Sequence, residues 1–327
     1  MTPRLARREF LALAAGLALA PVACARTPGD ETTSPAPSGD TAEAAQERSD
    51  TSGRSDATDR RAPSDPTHDR RPGDDADRAE GRDEDRDEDR GRTDDDVDPD
   101  DYPASADEWG TDVTGVRRRL DTSDRVVALT FDACGGRGGD GYDEALIDHL
   151  LAEEVPATLF LNERWVRAHR DTAAALADEP LFEIANHGTT HRPLSVSGRS
   201  AYGIGGTPDA EAVIREVLDN QQTLRRVCGV RARHVRPGTA HADEVAVGIV
   251  DDLGLEVVGF DVLGDAGATY SASQVTAALR GARPGSIALL HMNHPGSGTA
   301  AGVADAIAAL RADGFTFARL GDHRLAA

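Results

Sequence analysis

From about residue 109 to the C-terminus the chain alternates short apolar runs with helical patterns, and few architectures accept that alternation. Residues 125–131, Arg-Val-Val-Ala-Leu-Thr-Phe, read as a buried strand. Asp143 stands where a helix N-cap belongs, and Ala145, Leu146, Ile147, Leu150 and Leu151 follow at helical spacing. The pattern continues with a strand over 157–161, a helix over 164–177 and a strand over 181–185. Beyond a Gly/Ser-rich loop it predicts strands over 232–236, 255–261, 286–291 and 315–319, with helices over 209–227, 242–252, 272–281 and 299–312. Repeated β-then-α order implies an α/β fold with parallel strands. A closed barrel and an open doubly wound sheet both satisfy it. No GxGxxG turn or P-loop follows any strand, which counts against a nucleotide-binding sheet.

The first third of the 327 residues has a different character. Arg7-Arg8-Glu9-Phe10-Leu11 is a twin-arginine pattern ahead of an apolar run from Phe10 to Val22. The run is short of the ~20 apolar residues of a membrane span and fits the apolar region of an export signal over residues 1–25. Ala23-Cys24-Ala25 offers a small-x-small cleavage site, while Pro21-Val22-Ala23-Cys24 resembles a lipoprotein box with Cys24 as the lipidated residue. The expected location is therefore extracellular or at the cell surface, with membrane contact only through a lipid on Cys24. Residues 26–105 have almost no large apolar side chains, and Arg82 to Arg90 is nearly all charge. Such a segment cannot offset its conformational entropy by burial, so the reading is a disordered acidic tether. Its ~80 residues would reach about 50 Å. The folded domain is expected over 106–327. The formal charge of −22 argues against nucleic acid or an anionic membrane as the main partner.

Chemically capable residues stand just after several of the expected strands. Asp132 ends the first. Asn186-His187-Gly188-Thr189-Thr190-His191 follows the third, and Arg236-Pro237-Gly238 the fourth. Asp261 and Asp265 follow the fifth, and His291 ends the sixth. In a parallel barrel these ends share one face, where active sites are built. His187 and His191, spaced i, i+4, can reach one ion from a single turn or a tight strand-end loop. A lone carboxylate such as Asp132 beside buried strand residues is costly without a purpose. Asp, two His, Arg, Asp and His together make a metal-hydrolase constellation.

These residues resemble the motifs of the polysaccharide deacetylase family with the NodB-like domain, in family order over about 120–320. Its Thr-Phe-Asp-Asp-Gly motif reads Thr130-Phe131-Asp132-Ala133-Cys134, and its His-Ser/Thr-x-x-His motif is His187 to His191. Its Arg-Pro-Pro motif reads Arg236-Pro237-Gly238, its Asp-Trp pair Asp265-Ala266, and its Leu-x-Leu-His motif Ala288-Leu289-Leu290-His291. Val155 to Leu161 and Glu183 to His187 also look like family text. The resemblance implies a distorted (β/α) barrel and metal-assisted hydrolysis of the acetamide on an N-acetylated polysaccharide: peptidoglycan, a chitin-like chain or an exopolysaccharide. It implies Asp132 as general base, Arg236 holding that carboxylate, His291 as general acid and Asp265 orienting it. It implies a divalent ion on His187 and His191, with zinc favoured and cobalt or nickel acceptable. The family's metal-binding Asp is Ala133 here. Asp132 doubling as ligand, solvent, or Cys134 swinging in would complete the shell, unless the metal is absent. Cys134 and Cys228 could instead pair in an oxidising compartment, although no spacing argument supports it. Two other functions fit the same fold: a glycan-binding protein that has lost the chemistry, and a hydrolase of a small amide or imide.

Overall fold

A computed structural model describes residues 97–327. The expectations on the export signal, Cys24 and the tether as far as residue 96 lie outside these residues. In chain order the elements are β1 (Arg119–Leu120), β2 (Val126–Ala133), α1 (Glu144–Ala152), β3 (Ala157–Leu161), α2 (Glu163–Ala168) and α3 (Arg170–Asp178). There follow β4 (Phe182–Asn186), the hairpin β5 (Ser200–Ala201) and β6 (Ile204–Gly205), α4 (Ala210–Cys228), β7 (His234–Val235) and α5 (Glu244–Asp252). The chain ends with β8 (Glu256–Val257), β9 (Val262–Leu263), α6 (Ala272–Arg280), β10 (Ser286–His291), α7 (Thr299–Ala312), β11 (Thr316–Phe317) and β12 (Leu325–Ala326).

One sheet runs β12-β1-β10-β2-β3-β4-β7-β8, with β11 beside β2 and β9 beside β10. Its strands are parallel except at β1, which pairs antiparallel with β10 and β12. Arg117, just before β1, bridges Val258, just after β8, so the sheet curls back toward itself. The result is the distorted (β/α) barrel that the resemblance implied, one of the two architectures the alternation allowed.

Side-chain alternation along the strands decides what faces the barrel interior. On β2 the row Val127, Leu129, Phe131, Ala133 packs outward in the core beneath the helices. The other row begins at Ala128, which packs with Phe160, Ala185 and Ile287 inside the barrel, and continues through Thr130 to Asp132. Parallel register carries the pattern across: Asp132 pairs with Phe160 on one side and His291 on the other, and Phe160 with Ala185. Inward positions at the carboxyl ends of the strands therefore converge on one mouth.

Three differences from the expected elements have physical causes. The helix expected over 164–177 breaks at His169 (φ −126°, ψ 47°). The His169 ring stacks on Trp165 at 4.7 Å, and its Nε2 lies 2.6 Å from the Asp140 carbonyl oxygen. The strand expected over 255–261 divides into β8 and β9, because Val258 and Gly259 turn their amides to Val235 and Arg117. The folded part begins at least by residue 97, not 106. Val97 and Tyr102 pack against a second apolar cluster that contains residues of α4 and α5, and the Tyr102 hydroxyl donates to Asp252 at 2.7 Å. Cys134 and Cys228 are both free thiols.

Candidate active site

Arg236 follows β7 and is fully buried, which requires partners for every donor it presents. Its Nη1 donates to Asp132 Oδ1 and Thr130 Oγ1, both at 2.8 Å. Its Nε and Nη2 donate to the Val258 and Gly259 carbonyls at 3.2 and 3.1 Å, and the guanidinium lies 4.1 Å from the Phe160 ring centroid. Burial pushes the Asp132 carboxyl up, but the Arg236 charge, with His187 and His291, outweighs it and holds the group below the usual carboxylate range.

His291, directly beside Asp132 on β10, is fixed by Asp265. Its ring Nδ1 lies 2.9 Å from Asp265 Oδ1, while its backbone N–H and the Thr299 hydroxyl donate to Oδ2 at 2.7 and 3.0 Å. Asp265 is fully buried. Burial pushes the His291 pKa down, yet the Asp265 carboxylate and the Cys134 sulfur hold it well above the ordinary imidazole value. With Nδ1–H committed to Asp265, Nε2 is the nitrogen left to the cavity. Asp261, the other acid after that run, is taken up by Arg119, the Ser286 hydroxyl and the Ile287 amide, and does not line the cavity.

His187 and His191 sit on the loop after β4. The Asn162 amide holds this loop by donating to the His187 and Gly188 carbonyls at 2.8 and 2.7 Å, and the Glu216 carboxylate accepts from the Thr190 amide and hydroxyl at 2.8 and 2.6 Å. His187 Nδ1 lies 2.8 Å from the Arg236 carbonyl oxygen, so it donates there and leaves the Nε2 lone pair facing the site. His191 adopts φ +64°, a left-handed conformation that strains a non-glycine residue. Gly238 is packed against that turn: a Cβ there would lie 2.2 Å from the His191 carbonyl oxygen, which explains why Gly stands where the family has Pro.

Cys134 Sγ lies 3.6 Å from His187 Nε2, and the donor atoms of Cys134, His187 and His191 all fall within 4.8 Å of one another. Asp132 Oδ2 is 3.7 Å from the same His187 Nε2, but Asp132 is not a member of that cluster, and its other oxygen is held by Arg236. Burial raises the Cys134 thiol pKa, while hydrogen bonds to His187, His191 and His291 lower it well below the ordinary thiol value. The trio fits a divalent ion: soft sulfur and imidazole donors converge from one strand end and one loop. Ala133, at the family's carboxylate position, belongs to the outward row in the apolar core and is fully buried.

Asp132, Cys134, His191 and His291 open into one cavity of about 560 Å³, which Tyr202, His241, Leu263, Ala266 and Gly267 also line. Tyr202 on the β5–β6 hairpin is 84 % exposed and Leu263 43 % exposed; with Ile204 they are the exposed large hydrophobic residues among those described. Tyr202 meets the His241 ring edge-on at 5.4 Å, and His241 in turn meets Trp109 at 5.8 Å. Sequence reasoning missed this mouth, since a single Tyr between polar and Gly-rich stretches gives no periodic signal. It also missed Asn162, Glu216 and Thr299, which act only through other residues.

The polysaccharide deacetylase profile matches residues 119–258. A chitooligosaccharide deacetylase of Rhizobium leguminosarum bv. trifolii is 30 % identical over 182 residues, covering 53 % of this chain and 74 % of the relative. The chain belongs to the polysaccharide deacetylase family. A second chitooligosaccharide deacetylase, from Sinorhizobium fredii, is 30 % identical over 184 residues, covering 54 % of this chain and 76 % of the relative. Among solved structures, the family 4 carbohydrate esterase PdaA of Bacillus subtilis shares the fold with a TM-score of 0.53 at 21 % identity, covering 68 % of this chain and 97 % of that one. A family 4 pseudoenzyme of Bacillus anthracis shares it with a TM-score of 0.54 at 20 % identity, covering 63 % and 67 %.

Proposed function

We propose that this family member is an exported, metal-assisted deacetylase that hydrolyses the acetamide of N-acetylated amino-sugar residues in a cell-wall or extracellular polysaccharide. The observation that carries the reading is the paired placement of Asp132 and His291. They are register neighbours at the ends of β2 and β10, each backed by its own buried partner, and both open into the cavity that holds Cys134 and His191. A carboxyl whose pKa is held down by Arg236 beside an imidazole whose pKa is held up by Asp265 is the arrangement of a general base and a general acid.

A divalent ion on His187 and His191, zinc by donor type with cobalt or nickel acceptable, would polarise the acetyl carbonyl and acidify a water. Asp132 takes the proton of the attacking water and keeps its orientation through Arg236. His291 delivers a proton from Nε2 to the departing amine nitrogen, with Asp265 stabilising the imidazolium. The products are acetate and a free amino sugar. Tyr202 and Leu263 offer apolar faces at the mouth, suited to the C–H face of a sugar ring. The names of the two rhizobial relatives support a chitooligosaccharide-like substrate. Arg7-Arg8 with the apolar run after it supports export, which suits a polymeric substrate outside the cell.

Ala133 favours one second reading, a glycan-binding protein without turnover, and one neighbour of the same fold is a pseudoenzyme. Metal content and acetate release, measured on the full chain with chitooligosaccharide and with peptidoglycan, separate the two. Acetate release in proportion to bound metal supports the deacetylase. Glycan binding without acetate moves the protein to the second reading, and absence of both refutes the pair.

A further inference from the structure

The missing carboxylate at position 133 leaves His187 and His191 short of one ligand. The strand itself explains why residue 133 is not available. It continues the outward row of β2 into the core beneath the helices, so a charged side chain there would be buried among apolar neighbours. Residue 134 is the first beyond the strand. Gly135 and Gly136 follow it with φ of +68° and +80°, and a Cβ on Gly135 would lie 2.5 Å from the Trp165 amide nitrogen. This turn, which only glycine accepts, points Cys134 toward the two imidazoles. In a tetrahedral zinc site, bonds of about 2.3 Å to sulfur and about 2.05 Å to nitrogen set the S···N separation at about 3.6 Å. Cys134 Sγ and His187 Nε2 are 3.6 Å apart.

We propose that Cys134 supplies the third protein ligand of the metal site, as a thiolate in place of the family's aspartate. The proposal rests on the metal-assisted reading of the site but concerns ligation, not turnover. A thiolate with two neutral imidazoles carries the same formal charge as a carboxylate with two neutral imidazoles. The substitution therefore keeps the electrostatics of the site and changes its softness, favouring zinc and cobalt over magnesium or manganese. On binding, the Sγ–H bond breaks, its proton leaves to solvent, and the sulfur lone pair forms the bond to the ion; no electron is transferred. Asp132 is thereby released from ligation and stays with Arg236.

Cobalt(II) tests this on the chelator-treated full chain. Cobalt bound through a thiolate shows a sulfur-to-metal charge-transfer band in the near ultraviolet, which nitrogen and oxygen ligands do not produce. The band is expected in wild type and in Cys228→Ser, and absent from Cys134→Ser. Cys134→Ser should also bind cobalt at least about tenfold more weakly, the lower end of what even outer-shell changes do to a metal site. Cys134→Asp should recover binding without the band. Wild-type protein that binds cobalt with no charge-transfer band overturns the proposal whatever the variants do, as does protein that binds no cobalt. If no cobalt binds and the protein still releases acetate, ligation falls and the deacetylase reading stands without its metal. If the band appears and no acetate is released, ligation stands and the deacetylase reading falls.

Discussion

Asp132 has two roles that substitution separates from those of His291. It is the counter-charge of a fully buried guanidinium and, in the proposed reaction, the proton acceptor. Asp132→Asn keeps the shape but removes the counter-charge, so the buried Arg236 guanidinium is left with neutral acceptors such as Thr130 and the Val258 and Gly259 carbonyls. Turnover is expected to fall ~10²–10⁴-fold. Stability should fall as well, by the ~3–5 kcal/mol typical of a broken buried pair. His291→Gln should lose turnover on a similar scale but less stability, because Asp265 keeps the residue 291 amide and the Thr299 hydroxyl. Acetate-release kinetics beside denaturant unfolding check both. Equal stability losses would refute the division of roles drawn here. The six residues Asp132, His187, His191, Arg236, Asp265 and His291 were legible in the sequence because each stands in a short polar cluster just after an apolar run. Cys134 was harder to place, as its position is decided by a two-glycine turn whose dihedral angles do not show in the residue pattern.

At the scale of elements, the end of the barrel away from the site is tied together by Glu183 at the start of β4. Its carboxylate lies 2.6 Å from His234 Nδ1 at the start of β7, and accepts from the Thr158 hydroxyl of β3 at 3.0 Å and the Gly321 amide of the C-terminal turn at 2.8 Å. Burial raises the Glu183 pKa, but His234 and these donors hold it below the ordinary value. A depressed carboxyl pKa means stability that is fully present above the unfolded-state value and is lost as pH falls through the lower folded-state value. Wild type should therefore melt higher than Glu183→Gln near neutral pH, with the gap closing in the acid range. A melting-temperature gap that is independent of pH would refute this. Such ties join residues far apart in sequence, which is why they were invisible to periodicity. The long apolar strands β2, β3, β4 and β10 lie within a residue or two of their expected bounds, because burial on both faces writes them as continuous runs. The two-residue strands β1 and β12 have no pattern of their own and exist through pairing with each other and with β10.

For the whole molecule, the open question of fold lay in where the folded part starts, since residues 97–105 read as more of the same acidic segment. Composition averages over windows and hides two anchors. Val97 and Tyr102 pack on the second apolar cluster, and Tyr102 also reaches Asp252 at the end of α5. The Asp107 and Glu108 amides then donate to the Glu244 carboxylate at the start of α5, at 2.6 and 2.8 Å. Trp109 follows directly and meets His241, which lines the cavity. The entry of the chain into the fold is thus connected to the mouth of the site. A protein beginning at residue 97 keeps the anchors, and one beginning at 106 loses them. Removing two partly buried apolar side chains amounts to ~2 kcal/mol, which in a domain of this size lowers Tm by about 4–8 °C. The 97–327 protein is therefore expected to match the full chain in Tm and in turnover on a soluble oligosaccharide. The 106–327 protein should melt lower and, as Trp109 and His241 lose their backing, bind that oligosaccharide more weakly. Differential scanning calorimetry with steady-state kinetics on both decides it. Identical melting of the two shortened proteins would show that residues 97–105 contribute nothing to the fold.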